Sequence, residues 1–168
     1  MELRPAVPAD LPALRTMFAA LVAAMHENGL TFWDDVYPVC MLEGDVAAGR
    51  LFLLTAGDGP LAAFTLCPAH EGASSVVWPR PGAKACYLDR LGVHPRHARQ
   101  GLGSRMLAHA QDIARARGFD ALRLFVVEEN RPAIRLYEKS GFVRAGGVYD
   151  EVIDETLTLR ELGYEIEA

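Results

Sequence analysis

An α/β fold built on a mixed β-sheet is what this chain of 168 residues predicts. Apolar runs of strand length interleave with amphipathic stretches of helix length, and the links between them are short. No internal repeat, low-complexity tract or composition shift divides the chain, so one domain over residues 1–168 is expected. A chain of that length can bury a core without disulfides or a structural metal.

Each element has its own signal. Glu2 to Arg4 reads as a short strand. Asp10 stands where a helix N-cap belongs, and the helix continues to about Met25 with Leu11, Leu14, Phe18, Leu21 and Met25 on one face. A polar and aromatic connection, His26 to Pro38, leads to a second helix over about Val39 to Ala48, which stops near Gly49. Leu51 to Thr55 and Leu61 to Leu66 are apolar strands split by Gly57-Asp58-Gly59-Pro60, a hairpin turn by composition. Pro68 to Gly82 holds Gly, Ser and Pro with little periodicity and is expected to be a mobile loop.

Ala85 to Val93 is a strand that enters a turn rich in Arg and Gly. The helix from Leu102 to Arg117 follows, with Leu102, Met106, Leu107, Ala110, Ile113 and Ala114 as its core face and Gly118 as its stop. Leu122, Leu124 and Val126 alternate as a strand that ends at Glu128-Glu129. Asn130 to Gly141 is a fourth helix, capped by Asn130, with Pro132 in its first turn and Gly141 at the left-handed position past its end. Further strands are expected near Val143 to Val148 and near Glu155 to Leu162.

Composition narrows the function. Hydrophobic residues make up 51% and charged residues 23% of the chain, ordinary for a soluble globular protein. A net charge of −5 argues against general nucleic-acid binding. Cys40, Cys67 and Cys86 form no C-x-x-C pair and are odd in number, which fits thiols in a reducing cytoplasm. No secretory signal precedes the first strand, and the apolar stretch Ala13 to Met25 is too short for a membrane span and interrupted by Arg15. Neither His94 nor His97 has metal-ligand spacing with Cys or carboxylates, so no metal is expected.

The most informative stretch runs from Leu88 to Arg105. Between Arg90 and Arg105 lie four arginines and no acid, in a chain that is acidic overall. Glycines at the start of a helix leave its first N–H groups open to an anion along the positive end of the dipole. The spacing fits neither a P-loop, since no Lys follows Gly103, nor a dinucleotide fingerprint, since Met106 stands where a third small residue belongs. The pyrophosphate of coenzyme A is the remaining candidate, against an ordinary strand-to-helix turn with a solvated Arg face. Downstream, Ala133 and Tyr137 are four apart and share one helical face, where a small residue lets a ligand lie close and a phenol can meet its end.

Together the two blocks resemble the GNAT superfamily of acetyl-CoA-dependent N-acetyltransferases. Gln100-Gly101-Leu102-Gly103 is similar to its Q/R-x-x-G-x-G/A motif, and Asn130 to Phe142 matches its N-x-x-A-x-x-x-Y-x-x-x-G-F block at each of those positions. Leu3-Arg4-Pro5-Ala6 and Asp10-Leu11-Pro12 resemble its first strand and helix, so the likeness covers residue 2 to about residue 145. Ala98 departs from the pattern where Gln or Arg is usual, and Arg99 where Gly is common.

The resemblance implies a GNAT-like domain with a central mixed sheet flanked by about four helices, and acetyl-CoA as donor. It implies that the backbone of Leu91, Gly92 and Val93 takes the pantetheine arm, that Arg99, Gln100, Gly101, Leu102, Gly103 and Ser104 take the pyrophosphate, and that Asn130, Ala133 and Tyr137 complete the donor site. Tyr137 would protonate or hydrogen-bond the leaving thiolate, with simple packing at a helix edge as the alternative. Asp89 would pair with or deprotonate the acceptor ammonium, unless it forms an ordinary salt bridge with Arg90. Glu128 and Glu129 are weaker candidates for the base. Trp33, Asp34 and Tyr37 form an aromatic and acidic cluster able to hold a cationic amine, or else plug a sheet edge. The expected partner is a small-molecule primary amine, with no nucleic acid, no membrane, and a homodimer allowed. A peptide amine as acceptor, or a sensor that binds acyl-CoA without turnover, are the competing readings.

Overall fold

The computed structural model describes residues 1–57 and 59–168, and the chain divides into two compact units. The first comprises Met1–Leu66 with Arg90–Met106, the second Cys67–Asp89 with Leu107–Ala168.

In the first unit β1 (Glu2–Pro5) is followed by α1 (Leu11–Glu27), by a 3₁₀ turn that leads into α2 (Leu42–Ala47), and by β2 (Leu51–Ala56) and β3 (Gly59–Cys67). The three strands are antiparallel in sequence order, with Leu3 opposite Leu54 and Leu53 opposite Ala63. Ala56 faces Gly59, which makes β2 and β3 the expected hairpin; Asp58 of the predicted turn lies outside the described residues. Leu14, Met17, Phe18, Leu42, Leu51 and Leu53 build the core of this unit.

The buried face of α1 differs from the expected one. Leu14, Met17, Phe18 and Val22 are buried, while Leu11, Leu21 and Met25 are only half-buried. Alanines occupy most remaining positions of α1, so its hydrophobic period is weak and packing chooses the face. Asp10 occupies the N-cap position of α1 without capping it. Its carboxylate instead takes both guanidinium nitrogens of Arg4 at 2.7 Å and the backbone N–H of Val7 at 2.8 Å, which ties β1 to the helix start. These contacts hold the carboxyl below the usual range, Arg4 contributing most.

A buried ion pair anchors α2. Asp45 is fully buried and accepts from Arg90 Nε at 2.7 Å, Arg50 at 3.0 Å and the Thr65 hydroxyl at 3.1 Å. Arg90 itself is buried and left-handed, at φ +49°.

In the second unit the first half of β5 (Ala85–Val93) pairs in parallel with β6 (Ala121–Val127), from Ala85–Ala121 to Leu88–Leu124. That ladder ends there, although β6 continues to Val127. On its other edge β6 pairs antiparallel with β10 (Thr158–Glu167), which also carries β7 (Val143–Arg144) and β9 (Tyr149–Val152). With one parallel and several antiparallel ladders the sheet is mixed, and four α-helices accompany it: α1, α2, α3 (Leu102–Ala116) and α4 (Arg131–Lys139). The core face of α3 is as expected at Leu102, Met106, Leu107, Ala110 and Ala114, with Ile113 half-buried.

Three expectations are corrected here. Pro68 to Gly82 is not a bare loop: it forms a 3₁₀ turn and β4 (Val76–Val77), which pairs with β8 (Gly146–Gly147). Trp78 in that segment is buried, donating its indole N–H to the Ala73 carbonyl at 2.8 Å. The last strand starts at Thr158 and runs to Glu167, and β9 had no counterpart in the sequence reading. Glu165 shows why: it is buried in a sheet, yet it reads as a surface residue, because Arg123 pairs with it at 2.8 Å. Among the described residues no helix is long and apolar enough to cross a membrane.

Candidate active site

The anion cradle lies in the first unit. Arg99 at φ +61° and Gly101 at φ +78° give the turn two left-handed residues around Gln100. A glycine adopts that conformation without strain, so Arg99 holds at about 1 kcal/mol or more what Gly would hold freely. This is the physical content of its departure from the family pattern. A Cβ placed on Gly101 would meet nothing within 4 Å, so the space above the helix start is open. A cleft of about 300 Å³ beside it is lined by Leu61, His97, Gln100, Gly101, Leu102 and Arg105, among others. Arg99, Gln100, Ser104 and Arg105 are exposed, and the first turn of α3 offers N–H groups without helical partners. The arrangement fits a diphosphate.

Upstream, Leu91, Gly92 and Val93 end β5, and the His94 N–H donates to the Leu61 carbonyl at 2.8 Å. Gly92 is required by a close approach, and the approaching group is α1: a Cβ there would sit 2.8 Å from Leu21 and 3.0 Å from Phe18. His94 accepts from the Arg96 N–H and packs against His97, shaping the turn. Burial, then Arg96 and His97, push its pKa down.

The cluster around Trp33 is chiefly structural. Its ring packs against the first core and meets Tyr37 edge-on at 5.9 Å. Asp34 is exposed, and its carboxylate accepts from the Val36 and Tyr37 N–H groups at 2.8 and 2.7 Å. The backbone bonds hold the carboxyl below its usual range. Asp34 therefore shapes a turn, which corrects its reading as a ligand for an ammonium group.

The second unit holds Tyr137. Asn130 caps α4 by accepting from the Ala133 N–H at 3.3 Å, and Gly141 closes the helix at φ +91°. Ala133 is half-buried one turn before Tyr137. Tyr137 is 8% exposed, packed against Phe142 and Tyr164, and its hydroxyl has no hydrogen-bond partner among the described residues. Burial and then the nearby Asp89 charge push its pKa well above the ordinary phenol value. The phenol is protonated across the physiological range.

Asp89 belongs to a group of acids that no sequence motif announced. Strand alternation and the observed registers place Tyr87, Asp89, Phe125, Gly163, Glu161, Tyr149 and Glu151 on one face of the sheet. Phe125 touches Tyr149 at 5.6 Å and stacks on His70 at 4.3 Å. Burial, with Glu151 and Asp89 nearby, pushes Glu161 up to about 8. Glu151 is raised by burial, then by Asp89 and Glu71. The only legible hint was the acid-rich run from Asp150 to Glu161, and without β9 in register it had no address.

Other candidates fall away. Glu128 is half-buried with its N–H bonded to Arg160, and Glu129 is exposed in the turn before α4. Cys86 is buried and its thiol is pushed up to about 11, unsuited to nucleophilic work. Among the described residues no three His, Cys, Asp or Glu side chains are placed to hold a metal ion.

Comparison with known proteins points the same way. Residues 17–142 match the sequence profile of the Acetyltransferase (GNAT) family. Streptothricin acetyltransferase of Streptomyces lavendulae is 34% identical over 140 residues, 83% of this chain and 62% of that protein. Mycothiol acetyltransferase of Clavibacter michiganensis subsp. michiganensis is 37% identical over 92 residues, 55% of this chain. The chain thus spans less than two thirds of the first relative and about a quarter (26%) of the second. A GNAT-family acetyltransferase crystal structure from Streptococcus agalactiae superposes with a TM-score of 0.83 over 99% of this chain and 95% of its own, at 15% identity.

Proposed function

The chain belongs to the acetyltransferase (GNAT) family, and from that premise we propose that it transfers an acetyl group from acetyl-CoA to a primary amine of a small molecule, by direct attack with both substrates bound. The observation that carries this reading is Tyr137, a protonated, deeply buried phenol with an unpartnered hydroxyl beside a carboxylate. Tyr137 at the helix edge packs its ring; what a packing role leaves unexplained is the buried hydroxyl without a partner.

Acetyl-CoA supplies an activated acyl thioester when bound. In the first unit, Arg99 to Ser104 bind its diphosphate through the α3 N-terminus, and the main chain of Leu91 to Val93 offers polar groups to its arm. In the second unit, Ala133 leaves room beside α4, and Tyr137 holds a proton at its hydroxyl for the departing sulfur. Asp89 attracts the acceptor ammonium and takes its proton, directly or through water. The relatives named for streptothricin and mycothiol support a small-molecule acceptor.

Calorimetry with acetyl-CoA, followed by thiol release against a panel of amines, tests the reading. Binding in the micromolar range and thiol release that depends on an amine are expected. No binding at millimolar acetyl-CoA would overturn it, and binding without release for any amine would make the chain a sensor.

A further inference from the structure

Buried carboxylates near one another repel, and a fold keeps such a group only where something of opposite charge completes it. Asp89, Glu151 and Glu161 share one face of the second unit's sheet, on strands β5, β9 and β10. The charges that perturb Glu161 are Glu151 and Asp89, and those that perturb Glu151 are Asp89 and Glu71. Each is another acid. The neighbouring buried pair of Arg123 and Glu165 shows the alternative, a carboxylate matched inside the fold at 2.8 Å.

Tyr137 is an independent sign that a ligand belongs here, because its side chain is more than nine-tenths buried and its hydroxyl meets Asp89's field with no hydrogen-bond partner. The acids are too dispersed for a metal ion, since no three of them are placed to share one. Asp89 and Glu161 stand two strands apart, and Glu161 lies opposite Val127, two positions beyond Phe125. By strand geometry their Cα atoms are separated by roughly 12 Å. One ammonium group cannot satisfy both ends of that face. Phe125 and Tyr149, in contact at 5.6 Å, line the span between with apolar and aromatic surface.

We propose that Glu161 and Glu151 form a subsite for a second ammonium group of the acceptor, so that this chain selects amines carrying two amino groups joined by a short apolar chain. The proposal rests on the acetyl-transfer reading above and narrows it: one amino group lies at Asp89 and Tyr137 and is acetylated, while the other stays charged against Glu161 and Glu151. Glu161 in the site without ligand is held partly protonated, and the arriving cation favours its ionised form.

The test compares 1,4-diaminobutane with 1-aminobutane and 4-amino-1-butanol at one ionic strength, by acetyl-CoA-dependent thiol release. The diamine should have a kcat/KM about 10- to 100-fold higher than either control, expressed mainly in KM. Glu161→Gln should reduce that ratio to about one, and Glu151→Gln should reduce it in part. Equal kcat/KM for the diamine and the monoamine overturns the subsite and leaves acetyl transfer standing. Should none of the amines be acetylated, thermal denaturation decides: the diamine should raise Tm more than the monoamine in the native chain and not in Glu161→Gln. Equal shifts overturn the subsite.

Discussion

In the first unit, charge reaches the candidate site through the main chain; in the second it comes from side chains. The cradle combines the N-terminus of α3, a glycine at φ +78° and an arginine at φ +61°. The acidic face combines Asp89, Glu151 and Glu161, brought together from three strands by register alone. Each unit also holds a buried arginine–carboxylate pair that stays out of the chemistry, Arg90–Asp45 in one and Arg123–Glu165 in the other. The contrast teaches where substitutions bite. A main-chain anion site depends on backbone conformation and open space, so it tolerates changes of neighbouring side chains. A carboxylate site tolerates isosteric replacement in shape but not in charge.

The strongest way to break the first half of this comparison is Gly101→Asp. It places a carboxylate where the anion binds and forces a side chain onto a left-handed residue, so affinity for acetyl-CoA should drop by about 100-fold or more in calorimetry. Gly101→Ala is the control. Its Cβ meets open space, so it should cost only about 1 kcal/mol of backbone strain and retain binding. Wild-type affinity in Gly101→Asp would place the diphosphate elsewhere.

Tyr137→Phe breaks the second half at its most buried point. The ring still packs against Phe142 and Tyr164, and no hydrogen bond is lost within the fold. Thiol release should therefore fall by about 10- to 1,000-fold with Tm nearly unchanged. Unchanged turnover would reduce Tyr137 to packing, or make product release the slow step.

The same contrast explains what could be read in the sequence. The cradle and the Asn130–Phe142 helix are local: their caps, glycines and spacing lie within a few residues, and the structure places them as read. The hairpin of β2 and β3 and the core face of α3 were legible for the same reason. Glu151 and Glu161 were not, because their meaning depends on β9 lying beside β10, a long-range pairing that period alone does not fix. Asp34 misled in the opposite direction. Next to Trp33 and Tyr37 it looked like a cation site, yet its oxygen is occupied by its own turn. Trp78 was hidden in a segment whose Gly, Ser and Pro content reads as loop, although a two-residue strand and a buried ring fix it.

The smallest expected effect sharpens the comparison without any ligand. Glu161 is raised from the usual 4.5 to about 8, by burial first and by Glu151 and Asp89 after it. The folded protein therefore keeps a proton that the unfolded chain gives up near pH 4.5. Its contribution to stability is present in full below that pH and is lost as the pH climbs to about 8. Glu71, His70 and Tyr149 border the same face, and only His70 among them changes charge within this window through its own ordinary titration. Glu161→Gln cannot ionise, so it escapes the penalty while leaving His70 in place. Tm of the variant should match that of the native chain near pH 5 and exceed it by about 2–4 °C at pH 9. A difference that stays flat from pH 5 to pH 9 would mean that Glu161 ionises as an ordinary surface carboxylate, and the acidic face would then lose its claim to need a cation.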